Sequence, residues 1–275
     1  MNTKRAVQSA SVNVLAWIIS LVLIVPLLLV IFNSLKTSID ARVMSLALPS
    51  LPLQWENFLT VIERGKLGAS FINSMIYSAG SVGLCSVLAA MGAYALSRNR
   101  SKTNKFIYLF IVLGITIPLN YVATMKIMQV SHLMNTQIGI ILLYAATQLP
   151  FAVFLMYGFI SKIPVEIDEA AVIDGCSPLR LFFSVILPLL KPVLVTVIVL
   201  VFLNTWNEFV MPLYYLNNTG KWPMTLAVYN FFGMYYKDWN LVSADIILTS
   251  LPVLAIYIAG QKFIVTGMTA GAVKG

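Results

Sequence analysis

The stretch Ile163-Pro164-Val165-Glu166-Ile167-Asp168-Glu169-Ala170-Ala171-Val172-Ile173-Asp174-Gly175 gathers several of the chain's ten acidic residues. Acids placed soon after a proline suit a helix start, because carboxylates there complement the positive end of the helix dipole. Gly175 after Ile173-Asp174 suits a left-handed C-cap. Pro178 then falls in the first turn of a second helix that carries Leu181, Phe182, Val185 and Ile186 on one side. By themselves these features also describe an ordinary amphipathic connection between two spans. A second set of polar residues interrupts apolar segments: Asn120 and Tyr121 after Pro118, the group Asn204, Trp206, Asn207 and Glu208, and Asp245. Polar side chains at membrane depth are functional candidates. Aromatic faces with amide and carboxylate hydrogen bonds would suit a carbohydrate path; binding to neighbouring helices or to a partner subunit is the competing use.

Enzymatic chemistry finds no footing. Gly65-Lys66-Leu67 and Gly220-Lys221-Trp222 lack the context and the hydroxyl residue of a phosphate-binding loop. The single His132 has no second imidazole or thiol nearby in the sequence, so no metal site is expected. Cys85 and Cys176 are too few and too dissimilar in setting for a disulfide framework. No paired aspartates, histidine cluster or serine-base constellation lies at membrane depth. The expectation is a chain with no catalytic residues, no metal and no cofactor of its own.

The elements that must position these residues are membrane helices. Of 275 residues, 59% are hydrophobic and 10% charged, with a mean hydropathy of +0.88; soluble domains carry roughly 25% charged residues. The formal charge of +8 resides between apolar runs, which points to membrane topology rather than to nucleic acid. Six segments are apolar over the ~20 residues a bilayer core needs. They are Val14 to Phe32 with Pro26 inside, Met75 to Leu96, Phe106 to Met125, Ile138 to Ile160, Pro192 to Pro212, and Leu241 to Gln261. The second is rich in small residues, with Ala79/Gly83 and Ala89/Ala93 spaced for close helix approach. The first is longer than a signal peptide's apolar region, and Asn33-Ser34-Leu35-Lys36 offers no cleavage site, so it reads as retained.

Positive residues orient the spans. With the N-terminus in the cytoplasm, the inside segments hold eleven: Lys4, Arg5, Arg98, Arg100, Lys102, Lys105, Lys162, Arg180, Lys191, Lys262 and Lys274. The outside segments hold seven: Lys36, Arg42, Arg64, Lys66, Lys126, Lys221 and Lys237. Short loops weigh most, so both termini are placed in the cytoplasm. The fold expected is an all-α integral membrane protein of six transmembrane helices. It forms one domain over residues 1–275, with an outer loop 34–70 and a cytoplasmic loop 161–191.

That cytoplasmic loop resembles the signature of bacterial ABC-importer permeases: Glu-Ala-Ala, three residues, Gly, nine residues, then Ile-x-Leu-Pro. Glu169-Ala170-Ala171, Gly175, Leu187 and Pro188 match at that spacing, and Val185 stands where the pattern has Ile. The tail Gln261 to Gly275, ending Gly271-Ala272-Val273-Lys274-Gly275, is similar to the second permease subunit of carbohydrate importers of the maltose-transporter type. Asn73-Ser74 and Trp206-Asn207-Glu208-Phe209 are similar to that group as well. The resemblance implies that Glu169, Ala170, Ala171, Asp174, Gly175, Leu187 and Pro188 form an ATPase-coupling loop, with Glu169 facing a basic residue on the ATPase. It implies a heterodimer with a second permease, a cytoplasmic ATPase dimer that binds ATP-Mg, and an extracellular or periplasmic solute-binding protein, all serving carbohydrate import at the bacterial cytoplasmic membrane. A polyol or glycerophosphodiester importer and an ion-coupled carrier are the alternatives. Against the carrier, Glu208 lies 17 residues after Lys191 and Asp245 lies 17 before Lys262. At 1.5 Å per residue each is about 25 Å from the inner edge, whereas a proton-coupled site needs a carboxylate near the midplane.

Overall fold

The computed structural model describes the backbone of residues 3–99, 101–232 and 238–272, and the side chains of residues 12–99, 101–232 and 238–262. Lys4, Arg5, Arg100, Lys237, Lys274 and the Gly-Ala-Val-Lys-Gly ending therefore lie outside the described side chains. Helices dominate, as they must where no water is present to satisfy a free backbone. They are α1 (Thr3–Ser34), α2 (Glu56–Arg64), α3 (Leu67–Arg98), α4 (Lys102–Leu113), α5 (Tyr121–Val130), α6 (Gln137–Ile160), α7 (Glu166–Ile173), α8 (Pro178–Leu189), α9 (Lys191–Trp206), α10 (Val210–Tyr215) and α11 (Trp239–Ala272). By length and composition, four described stretches can cross a bilayer: Val12–Ser34, Leu67–Arg98, Gln137–Ile160 and Trp239–Lys262. The pair α8 and α9, bent by 79°, is long and apolar enough when taken together.

The segment expected as a single third span is broken. α4 has 12 residues and α5 has 10, and neither crosses a bilayer alone. Pro118 lacks the N–H a helix needs and pushes Ile117 away from helical geometry. Asn120 then opens a new helix, its side chain accepting from the Ala123 N–H at 3.0 Å. The fifth span is likewise shorter than Pro192 to Pro212. α9 ends at Trp206, and Glu208 Oε1 accepts from the Val210 and Met211 N–H groups (2.8 and 3.0 Å) to start α10.

Packing divides the chain into two compact units, Met1–Gly68 with Ala227–Leu251 and Ala69–Leu226 with Pro252–Gly275. In the first, α1 shows its apolar side chains outward, Trp17 at 71% and Leu23 at 66% exposure. Its last turn is tied down by side chains, because the final carbonyls of a helix have no partner within it. Asn57 Nδ2 donates to the Ser34 and Lys36 carbonyls (2.8 and 3.0 Å), and Asn240 Nδ2 donates to Asn57 Oδ1 at 2.9 Å. The buried Lys36 ammonium donates to Asn33 Oδ1 and to the carbonyl and hydroxyl of Ser45.

The second unit has an apolar core in which Cys85, Ala89, Ala90 and Ala93 of α3 meet Ala152, Val153, Met156 and Ile160 of α6 and Val193, Val197 and Val201 of α9. Lipid is as apolar as these side chains, so close van der Waals contact rather than hydrophobic transfer holds the helices together. Of the two small-residue pairs read from the sequence, Ala89/Ala93 is fully buried in this core, while Ala79 and Gly83 face outward. Gly114 lets the end of α4 lie on α6, since a Cβ there would stand 2.8 Å from Pro150 Cγ. Tyr108 and Tyr157 stack beside it with centroids 3.9 Å apart. Replacing Asn57 by Ala strands two buried carbonyls and the Asn240 amide. The expected result is a loss of ~1–3 kcal/mol, read as a melting midpoint several degrees lower for the protein in detergent. An unchanged midpoint would show that water replaces Asn57.

Candidate functional site: the α7–α8 hairpin and the polar face of α9

Helix α7 opens with three acids, Glu166, Asp168 and Glu169, in its first turn. Helical rotation sends neighbouring residues to different faces, so the acids part company. Asp168 and Ala171 are buried, whereas Glu169 and Ala170 are exposed. Arg98, the last residue of α3, closes on Asp168 with Nε 2.7 Å from Oδ2. That N–H is too bent to hydrogen-bond, and the bonded arm is Nη2, which donates to Oδ1 at 3.3 Å. Nη1 donates to the Ile163 carbonyl at 3.0 Å, and Tyr94 Oη donates to Asp168 Oδ2 at 3.2 Å. The two side chains are only 14% and 12% exposed. Removing one partner of a buried pair leaves an uncompensated charge and costs roughly 3–5 kcal/mol, less where water still reaches the site.

The turn after α7 needs Gly175, whose φ is +78°, a conformation that side chains with a Cβ avoid. Gly175 N donates to Val172 O and Cys176 N to Ala171 O, both at 3.0 Å, the paired bonds of a Schellman cap. Asp174 occupies the C-cap and is exposed. Ser177 caps α8 by accepting from the Arg180 N–H, with Pro178 in the first turn. Leu181–Ile186 forms a π-helical turn, which brings Leu181, Phe182 and Ile186 into the core shared by α3, α6 and α9. Phe182 packs on Tyr94 at 5.6 Å. Leu187 is half-buried and Pro188 exposed, and Leu190 turns the chain through 79° into α9.

The six path candidates separate by role. Trp206 is 1% exposed and enclosed by Phe71 and Phe202, with centroids 5.9 and 5.4 Å away. Glu208 is occupied in capping α10. Asn207 donates to the Leu203 carbonyl and is exposed. Asn120 caps α5, and Tyr121 lies 5.5 Å from the Tyr214 ring while its carbonyl accepts from Tyr215 Oη. Exposed Asn204 donates to Gln148 Oε1 at 2.9 Å.

Gln148 is not among the residues singled out from the sequence, which placed it inside the span Ile138 to Ile160. An amide in the middle of an apolar run was the available signal. Arg98 and Asp168 escaped as a pair too, one read for topology and the other as part of an acidic cluster. The three-residue spacing from Asp168 to Ala171 was the clue to its burial. The far end of α3 holds a further network. Asn73 Nδ2 donates to the Gly220 and Trp222 carbonyls (2.9 and 3.2 Å), Tyr77 Oη to the Lys221 carbonyl (2.7 Å), and Met224 N to Ser74 Oγ (2.9 Å). Among the described residues there is no group of three His, Cys, Asp or Glu that could hold a metal.

Comparison with known proteins bears on this arrangement. Residues 83–270 match the family described as binding-protein-dependent transport system inner membrane component. A probable starch degradation products transport system permease of Thermoanaerobacterium thermosulfurigenes is 33% identical, covering 98% of this chain and 99% of that protein. A melibiose/raffinose/stachyose import permease of Bacillus subtilis is 31% identical over the full length of both. The crystal structure of a bacterial ABC transporter involved in the import of the polysaccharide alginate contains a chain that superposes with a TM-score of 0.83 at 21% identity, covering 95% of this chain and 98% of that one. The match spans the α7–α8 hairpin and the core that seats it, and the chain belongs to the inner membrane components of binding-protein-dependent transport systems, the permease subunits of ABC importers.

Proposed function

We propose that this chain is one of the two membrane-spanning halves of an ATP-driven importer for a carbohydrate, most fittingly an oligosaccharide, in the bacterial cytoplasmic membrane. It crosses the membrane six times as one permease domain, the broken α4–α5 segment making the third crossing, and both termini are cytoplasmic. A second permease subunit completes the pathway, a solute-binding protein delivers the sugar, and a cytoplasmic ATPase dimer binds ATP-Mg and supplies the work. The observation that supports this most directly is the α7–α8 hairpin. Its inner face is locked into the core, while Glu169, Ala170, Asp174 and Gly175 stand exposed in the family's spacing. In this reading Glu169 pairs with a basic residue of the ATPase, Ala170 permits close approach, and closure of the ATPase dimer rocks the helices between inward-open and outward-open states.

Carbohydrate rather than another solute is supported by what the similar permeases are named for, starch degradation products and raffinose-type sugars. It is supported also by the polar face of α9. Gln148 lies 11 residues into α6 and Asn204 lies 13 residues after Lys191. At 1.5 Å per residue both stand about 17–20 Å along their helices, near mid-depth. An amide pair at that depth, with Asn204 exposed and Gln148 half-buried, faces a water-filled path or a partner chain rather than lipid, and its donors and acceptors match sugar hydroxyls. Tyr121 and the exposed Tyr214 add a stackable aromatic face beside Asn120. Trp206, being enclosed, supports the path instead of lining it, and Glu208 shapes it by setting α10.

ATP-dependent uptake of maltotriose and raffinose, measured in proteoliposomes of the whole complex with its binding protein, tests the reading. Glu169→Lys is expected to cut uptake and sugar-stimulated ATP hydrolysis at least tenfold in a complex that still assembles. Uptake driven by an ion gradient without ATP would return the carrier alternative. Exchanging Gln148 or Asn204 for Ala is expected to raise the KM for uptake several-fold, in line with about 1 kcal/mol per hydrogen bond. An unchanged KM would place the amide pair at the subunit interface.

A further inference from the structure

Helix α3 is fastened at both ends by side chains that leave the helix, and the two fastenings are different in kind. At one end Arg98 and Tyr94 grip Asp168 of α7, and Arg98 also holds the Ile163 carbonyl just before that helix. This ion pair binds the inner face of the same helix turn whose outer face presents Glu169. At the other end Asn73, Ser74 and Tyr77 make four hydrogen bonds to the backbone of Gly220, Lys221, Trp222 and Met224. Lys221 in turn donates through Nζ to the Asn135 carbonyl at 2.6 Å, and Asn135 Oδ1 accepts from the N–H groups of Asn217 and Asn218. Between Asn73 and Arg98 run 25 residues of unbroken, proline-free helix, about 38 Å at 1.5 Å per residue.

We infer that α3 is a transmission rod, in which the Arg98–Asp168 pair delivers movement of the α7–α8 hairpin to the 217–224 loop on the opposite side of the membrane. Arg98, Asp168 and Asn73 are positioning residues in this device, acting through the elements they join. The physical grounds are stiffness and directional attachment. An unbroken helix packed by Ala89, Ala90 and Ala93 against α6 moves as a body. A two-point grip on Asp168 and the Ile163 carbonyl leaves α7 little freedom to slide along α3. Coupling of this sort is reciprocal, so a partner that pushes on the 217–224 loop also biases the hairpin. The inference rests on the importer reading above, because it needs an ATPase at the hairpin.

The test places a reporter thiol in the exposed loop by Asn217→Cys, in a chain carrying Cys85→Ser and Cys176→Ser. Its maleimide labelling is followed in the reconstituted complex, with and without ATP and vanadate. The labelling rate is expected to change at least threefold with nucleotide in that background. The response should vanish in Arg98→Asp and in Asp168→Arg, and return in the double reversal that restores the pair with opposite polarity. Asn73→Ala, which touches neither the hairpin nor the ion pair, is expected to abolish the response as well, and it carries the test if the single reversals fail to assemble. A response that persists in Asn73→Ala or in an assembled single reversal overturns the rod. So does an assembled double reversal that restores nothing, or a reporter blind to nucleotide in a complex that takes up sugar. A reporter background complex with neither uptake nor nucleotide response, when the wild-type complex also fails to transport, counts instead against the importer reading.

Discussion

The close approach of α3 to its neighbours is the constraint on which the second unit depends. Ala89, Ala90 and Ala93 are fully buried, and their small side chains let α6 and the α8 turn come near enough for dense contact. In lipid this matters more than in water, because apolar side chains gain nothing by leaving one apolar medium for another. Contact density and satisfied polar groups must do the holding. The same apolar core runs from the membrane helices into α7 and α8, through Ala171, Leu181, Phe182 and Ile186. The hairpin is therefore an extension of the membrane core rather than a loop hung beneath it.

Against that apolar seat, charge is used sparingly and with direction. Two adjacent acids divide the labour on α7: Asp168 turns inward to Arg98 while Glu169 turns outward. A 100° step per residue is enough to put one carboxylate in a low-dielectric pocket, where pairing is strong, and the next in water, where it is available to a partner. Gly175 fixes where this turn ends. Its positive φ completes the Schellman bonds and sets the direction in which α8 departs.

Breaks in the helices carry as much information as the helices. Pro118 and Asn120 split one apolar run into α4 and α5; Pro188 and Pro192 flank the 79° turn at Leu190; Glu208 restarts the chain as α10. Non-helical backbone at membrane depth is tolerated where side chains or protein satisfy it; Asn120 does so at the first of these breaks and Glu208 at the last. Two of the breaks also fix polar side chains, since Asn120 and Glu208 are held by the backbone N–H groups they accept from.

The sequence by itself determined that this is a helical membrane chain, because runs of about 20 apolar residues such as Val14 to Phe32 satisfy their backbone in lipid as helices, whereas barrel strands would alternate polar and apolar residues. It determined the hairpin's turns as well, since Gly175 and Pro178 act through local φ preferences that need no distant partner. Spans bounded by sharp composition changes, such as Gln137–Ile160, were legible to within a residue or so. What hydropathy alone could not resolve was where an apolar run breaks, because Phe106 to Met125 averages as apolar over a span's length whether or not Pro118 and Asn120 divide it. Only the tertiary structure decided that Asp168 meets Arg98, that Gln148 meets Asn204, that Trp206 is enclosed and that Asn73 holds the 220–222 backbone. These are pairings between residues 56 to 149 positions apart. No local propensity encodes them; they exist because the alanine face of α3 and the bend after α8 bring separate helices to the same place.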